Sequence, residues 1–303
     1  MDTNAVPLGT TWPIGREPQT RARCCENIMN EQRLLYETHS HTPLCKHAVG
    51  WPGEYAAVAE RRGLAGLIVT CHNPMPDGFS AHVRMAAAEM DQYVDLVQQT
   101  RDEWSGRVDV RLGLEADYFA GYEDWLERQL SAHEFHYVLG SVHPQVAEYK
   151  AKYLHADPLE SQQTYFNLLA DAAETGLFDC LSHPDLIKNV TPDDWSPEAI
   201  MPAICRVLDR VAKTGVTMEL NTSGANKVVA EMNPFPDMLR EMQTRGIPVV
   251  LGADAHEPGR VADRFEAALD LLAAVGFAEV SLFQARQRTA ISIPEARSTL
   301  RGL

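Results

Sequence analysis

The sequence predicts a single α/β domain folded as a distorted (β/α)7, TIM-like barrel. Two observations lead to that fold class. Amphipathic stretches that end in glycine alternate, about seven times, with short apolar or β-branched runs, as parallel strands between outer helices do. No shift in composition and no Gly/Ser linker divides the 303 residues, so the units belong to one closed barrel and not to two open sheets.

Taken in order, residues 1–33 are rich in Pro, Gly, Arg and polar groups and read as an N-terminal arm. The barrel occupies 34–290, and 291–303 read as a short tail. The first strand is "RLLYETHSH", an apolar run that turns polar at its end. "EYAAVAERRG" is a helix feeding the strand "LAGLIVTCH", and 81–104 reads as one long helix before the strand "VDVRLGLEAD". "HYVLGSVH" is the fourth strand. The helices at 158–176, 196–215, 234–246 and 263–276 then precede "LFDCLSH", "VTMELNTSG", "IPVVLGADAH" and "FAEVSLF". Gly63, Gly176, Gly215, Gly246 and Gly276 close their helices in the left-handed conformation. Ser196 caps the helix that Pro197 opens.

Bulk properties narrow the function. A net charge of −15 repels phosphate backbones and anionic lipid heads, so neither nucleic acid nor a membrane surface is an expected partner. No window of about 18 apolar residues spans a bilayer, and the N-terminus has no apolar secretory segment. The six cysteines (Cys24, Cys25, Cys45, Cys71, Cys180 and Cys205) form no C-x-x-C pair and read as free thiols in a reducing cytoplasm. Cys45 and Cys71 read as small packed residues, with no activating partner evident.

Chemistry concentrates where the strands end. The first closes on His39 and His41, the second on Cys71-His72, the third on Glu115, the fourth on His143 and the fifth on His183. The sixth closes on Asn221-Thr222-Ser223 and the seventh on Asp254 and His256. In a parallel barrel all these ends share one face. His39 and His41, two apart on a strand, point the same way, and His47 in the next loop can fold back over them. Seven histidines, one glutamate and one aspartate are more ligands than one cation can use. Neutral imidazoles and carboxylates in such a crowd point to a cluster of divalent metals. His82, His133, His136 and His155 lie away from strand ends and have no expected role.

With these residues in hand, the chain resembles the PHP (polymerase and histidinol phosphatase) family, and within it the branch of monofunctional histidinol-phosphate phosphatases. The matching pieces run in order from about 35 to 285: "HSHTPLCKHA", "TCHNPMP", "RMAAAEMDQYV", "LGLEADY" with "GYE", "YVLGSVH", "GLFDCLSHPDLIK", "ELNTSG" and "GADAHEPGRV". The resemblance implies a distorted (β/α)7 barrel and two to three divalent ions, Zn, Mn or Fe. It implies that His39, His41, Glu115 and Asp254 hold one ion, that Glu115 bridges to a second with His143 and His183, and that His47, His72 and His256 hold a third. The chain departs from the family pattern at Cys71, where an aspartate is usual. It departs again at Ala225-Asn226-Lys227, where Leu-Arg-Lys is usual, so a phosphate-binding arginine is missing. The His143-Pro144 and His183-Pro184 contexts match the general family more than the branch.

The expected activity is hydrolysis of a small phosphorylated metabolite, L-histidinol phosphate among the candidates, by a metal-bound hydroxide attacking phosphorus. Glu115, Asp254 and His256 are the expected catalytic residues, with Asp254 or His256 protonating the leaving alkoxide. Lys188 is the foremost phosphate cation; Arg84, Lys227 and Ser223 are further substrate contacts. A metal hydrolase of the amidohydrolase type, acting on a phosphodiester, C–N or lactone bond, is the alternative. A metal-stabilised module without activity is a third reading, which the complete ligand set disfavours.

Overall fold

The computed structural model describes residues 33–302. Apart from Arg33, the expected N-terminal arm lies outside the described residues, as do Cys24 and Cys25. In chain order the elements are β1 (Tyr36–Ser40), α1 (Pro52–Arg61), β2 (Gly66–Val69), α2 (Met90–Glu103), β3 (Asp109–Asp117), α3 (Glu123–Ala132), β4 (Tyr137–Ser141), α4 (Ala147–Tyr153) and α5 (Pro158–Glu174). They continue with β5 (Cys180–Leu181), α6 (Pro197–Val211), β6 (Thr217–Asn221), α7 (Pro236–Thr244), β7 (Val249–Gly252), α8 (Phe265–Val275), β8 (Glu279–Gln284), β9 (Gln287–Ser292) and α9 (Ile293–Ser298).

β1 to β8 pair in sequence order, all parallel, and β9 returns antiparallel on β8. The two edges of the seven-strand core meet at the carboxyl-end rim. There the His41 N–H donates to the Ala255 carbonyl at 3.0 Å and the Ala255 N–H to the His39 carbonyl at 2.9 Å. The sheet thus curls back on itself, as a distorted barrel does. β1, β2, β4, β6 and β7 are buried at every position, as strands covered on both faces must be.

The amino-terminal end is shut by the β8–β9 hairpin. Arg111 of β3 donates to the Phe283 carbonyl at 3.1 Å. The Arg286 N–H donates to the His136 carbonyl at 3.0 Å, and its side chain donates to the Leu177 carbonyl at 2.7 Å and forms an ion pair with the Asp179 carboxylate at 2.6 Å. Above the hairpin, Tyr36, Ile68, Tyr137, Leu139, Cys180, Val250 and Phe283 pack into one apolar cluster, with Phe283 stacked on Tyr137.

All five expected glycine caps have φ between 67° and 106°. At Gly63 the requirement is double, because a Cβ there would also lie 1.8 Å from the Thr299 carbonyl oxygen. Ser196 Oγ accepts from the Ala199 N–H at 3.4 Å, as expected of a cap.

Three elements differ from expectation. The helix expected over 81–104 begins at Met90 after a single 3-10 turn at Ala87–Glu89. Residues 81–86 form no helix, and Arg84 is drawn inward by buried Asp117. α4, between His143 and α5, is too short for periodicity to reveal. The segment read as a tail from 291 holds the end of β9 and all of α9, capped by Ser292, which accepts from the Glu295 N–H. Among the described residues, no helix is long and apolar enough to cross a membrane.

Candidate metal centre

Glu115, near the end of β3, is the hub of the rim. Its Oε1 lies 3.1 Å from His183 Nε2, 3.4 Å from His143 Nε2 and 3.5 Å from His39 Nε2. Its Oε2 lies 2.7 Å from His72 Nδ1 and 3.6 Å from His41 Nε2. Asp254 Oδ1 closes the far side, 3.1 Å from His41 Nε2, 3.6 Å from His39 Nε2 and 3.3 Å from His256 Nδ1. His47 reaches back from the loop after β1, its Nε2 2.9 Å from His256 Nε2. All nine residues expected to bind metal are therefore gathered in one place.

Acceptors behind the rings set their tautomers. His39 Nδ1 is 2.7 Å from Glu219 Oε1 and His143 Nδ1 is 2.9 Å from Asp117 Oδ1. His47 Nδ1 is 2.8 Å from the Cys45 carbonyl and His256 Nδ1 is 3.1 Å from the Asp254 carbonyl. Carbonyls and ionised carboxylates only accept, so the proton of each neutral ring sits on Nδ1. Four Nε2 lone pairs then face carboxylate oxygens or one another. His39 Nε2 and Glu115 Oε2 are buried with no hydrogen-bond partner. Lone pairs so opposed repel unless cations lie among them. Donor atoms of His39, His41 and Asp254, of His41, His72 and Glu115, and of His47, His72 and His256 lie within 4.8 Å of one another. Each group could hold a divalent metal. Cys45 joins His41 and His256 in a further such group, a placement that its reading as a small packed residue does not anticipate.

The charges agree. Burial opposes protonation of His39, yet Glu219, Glu115 and Asp254 hold it well above its usual value. Burial likewise opposes, and Asp117 with Glu115 outweighs it, at His143, which is pushed up to about 10. Burial would raise Glu115 and Asp254, but the surrounding imidazoles hold both well below the usual carboxylate range. Burial and neighbouring His41 push His256 down to about 3. The carboxylates thus draw positive charge to the rim, as protons on His39 and His143 or as cations in their place.

Backbone strain accompanies the arrangement. His183 and Asp254 have φ of +25° and +50°, each costing about 1–3 kcal/mol outside the usual regions. Gly252 admits the Glu219–His39 contact, since a Cβ there would lie 2.2 Å from Glu219 Oε1 and 2.8 Å from His39 Cβ.

The expected substrate contacts fare differently. Lys188 is wholly buried, and its ammonium is bound to Asp185 at 2.9 Å, the Met232 carbonyl at 3.0 Å and Glu231 at 3.3 Å. With three protons on three acceptors, it has no donor left for phosphate. Arg84 is buried against Asp117 at 2.7 Å and the Asn73 carbonyl at 3.0 Å, so it braces the carboxylate that holds His143. Ser223 Oγ lies 3.0 Å from Asp254 Oδ2, and Lys227 Nζ 3.9 Å from the same oxygen. Both steady Asp254.

Sequence reading missed Glu37, Asp117 and Glu219. Glu37 accepts from the His39, Ala253 and Ala262 N–H groups at 3.0, 2.9 and 2.8 Å and splices β1 to the loop after β7. Burial pushes it up to about 7 in spite of those bonds. Glu219 also accepts from the His183 N–H at 2.9 Å. The available signal was an acid inside an apolar strand, two positions from a strand-end His or acid in Glu37 and Asp117. Glu219→Gln is expected to weaken metal affinity roughly ten- to hundredfold, as loss of a carboxylate behind a ligating imidazole does. Metal titration of the variant checks this, and unchanged affinity would deny Glu219 that role.

A curled parallel sheet with a rim of imidazoles and carboxylates around one buried glutamate defines a metal-site barrel protein. The family model described as "PHP domain" matches residues 37–223. The chain belongs to the PHP family. It is 42% identical over 248 residues to a Deinococcus radiodurans protein described as "Probable histidinol-phosphatase", covering 80% of this chain and 94% of that one. It is 26% identical to the histidinol-phosphatase of Bacillus subtilis, over 77% of this chain and 97% of that one. Its fold matches the crystal structure of histidinol phosphate phosphatase from Lactococcus lactis in complex with zinc, L-histidinol and phosphate. The TM-score is 0.72 and the identity 18%, over 84% of this chain and 98% of that one.

Proposed function

We propose that this protein is a metal-dependent phosphatase that hydrolyses a small phosphomonoester, L-histidinol phosphate. The names of its Deinococcus and Bacillus relatives support the substrate. The observation that carries the reading is the set of four imidazoles with Nδ1 tied to acceptors, the Nε2 of His39 and His143 turned to Glu115 and those of His47 and His256 turned to each other. His39, His41, Glu115 and Asp254 would hold one cation, Glu115 with His143 and His183 a second, and His47, His72 and His256 a third. The mixture of imidazole and carboxylate suits Zn, Mn or Fe. Bound there, divalent ions supply Lewis acidity toward phosphoryl oxygens and lower the pKa of water from about 15.7 toward about 7.

The chain's own residues do the rest. Glu219 and Asp117 fix the rings of His39 and His143 with the lone pair inward. Arg84 keeps Asp117 in place, and Ser223 and Lys227 do so for Asp254. Asp254 and His256 are both held deprotonated near neutral pH, so neither brings the proton that the leaving alkoxide needs. Metal binding therefore suits these two residues better than the acid role expected of them.

The test is metal analysis of the purified protein beside phosphate release from L-histidinol phosphate and a panel of phosphodiesters. Chelation is expected to abolish turnover and metal to restore it. Bound metal with no turnover of any phosphoester would overturn the reading.

A further inference from the structure

Two of the cations expected to meet a substrate are committed to other groups, Lys188 to Asp185 and Arg84 to Asp117, and the third, Lys227, lies 3.9 Å from Asp254. A dianionic phosphoryl group gains from a further counter-charge, beside the metals, that is free to turn toward it. Beside the cage opens a cleft of about 460 Å³, with His47, His72 and His143 on the wall it shares with the metal centre. Its other walls include Arg84, Gln145 and Lys150. No carboxylate lines it, although the chain has 42 acidic residues against 27 Lys and Arg. An acid-free cleft that opens onto a metal cage in an acidic protein concentrates anions.

Lys150 lies in α4 and is exposed, and among the described residues its ammonium meets no carboxylate or carbonyl. Its neighbour Lys152 is engaged, donating to the Ala120 carbonyl at 2.8 Å and lying over the Phe119 ring. The nearby acid of α4, Glu148, is turned away to the Ser80 N–H at 2.8 Å and Ser80 Oγ at 2.7 Å. Those bonds fasten α4 to the loop carrying Arg84, so the cleft has fixed walls and, at Lys150, an exposed cation with no partner among the described residues.

We propose that Lys150 is a substrate-positioning residue whose ammonium pairs with the dianionic phosphoryl group of a phosphomonoester entering the cage. This rests on the phosphatase reading above. The pairing favours monoesters, which carry two charges, over diesters, which carry one. It acts on binding and leaves the chemical step to the cage.

The experiment compares wild type with Lys150→Met and Lys150→Arg, each loaded with metal. For the methionine variant, KM for the phosphomonoester and the inhibition constant of inorganic phosphate are both expected to rise about tenfold, as for loss of one charge-assisted hydrogen bond. Metal content stays level, kcat changes less than about threefold, and arginine recovers most of the affinity. Unchanged KM and phosphate inhibition in the methionine variant, with active wild type, would overturn Lys150 alone. Parallel loss of metal and kcat would also overturn it, by making the residue structural. Metal-loaded wild type with no phosphomonoesterase activity would overturn both this inference and the phosphatase reading.

Discussion

Glu115→Gln is expected to lower kcat/KM at least about a thousandfold, beyond the roughly ten- to hundredfold that residues behind the ligands contribute, and to reduce bound metal. The substitution keeps the shape of the side chain and removes its charge. Five ring nitrogens from His39, His41, His72, His143 and His183 lie within 3.6 Å of its two oxygens. An amide offers one acceptor where the carboxylate offers two, and turns an N–H donor toward imidazole rings that must stay bare. Cations on either side of it would lose the anion that screens them from each other. Metal analysis, steady-state kinetics and a thermal melt of the variant check the result together. A folded variant with full metal and wild-type turnover would remove Glu115 from the centre.

Lys188→Met is expected to cost stability and not substrate affinity. The change strands Asp185, which is wholly buried and otherwise held by the Phe235 N–H at 2.8 Å and by Asn233. Breaking a buried ion pair from one side costs about 3–5 kcal/mol. Denaturant unfolding measures the loss, and KM of the folded variant remains near that of wild type. Adding Asp185→Asn is expected to cost less than the sum of the two changes, because the partners form one unit. A stable Lys188→Met protein with a greatly raised KM would return this lysine to the substrate.

Lys188 shows where reading from sequence stops. A cation just past a strand end in "SHPDLIK" has the place of a phosphate ligand, and nothing local reveals that Asp185, three residues earlier, folds back to claim it. The barrel order was legible because five helices are followed by a glycine with φ above zero and most strands of the core carry a short apolar run. The cage ligands were legible because His, Glu and Asp are conspicuous at the ends of such runs. Glu37, Asp117 and Glu219 were not, since their work depends on partners up to 225 positions away. β9 was not either, because its exposed, polar sequence has no apolar alternation and gains its place only by pairing with β8.

The hairpin at the amino-terminal end has a bearing on traffic. With Phe283 and Tyr137 stacked beneath the cage and Arg286 latched to Leu177 and Asp179, the barrel is a cup and not a tube. Whatever arrives, ion, ester or water, comes in over the lip, and whatever is released departs the same way. Among the described residues, free phosphate and the next ester therefore share the doorway at the rim.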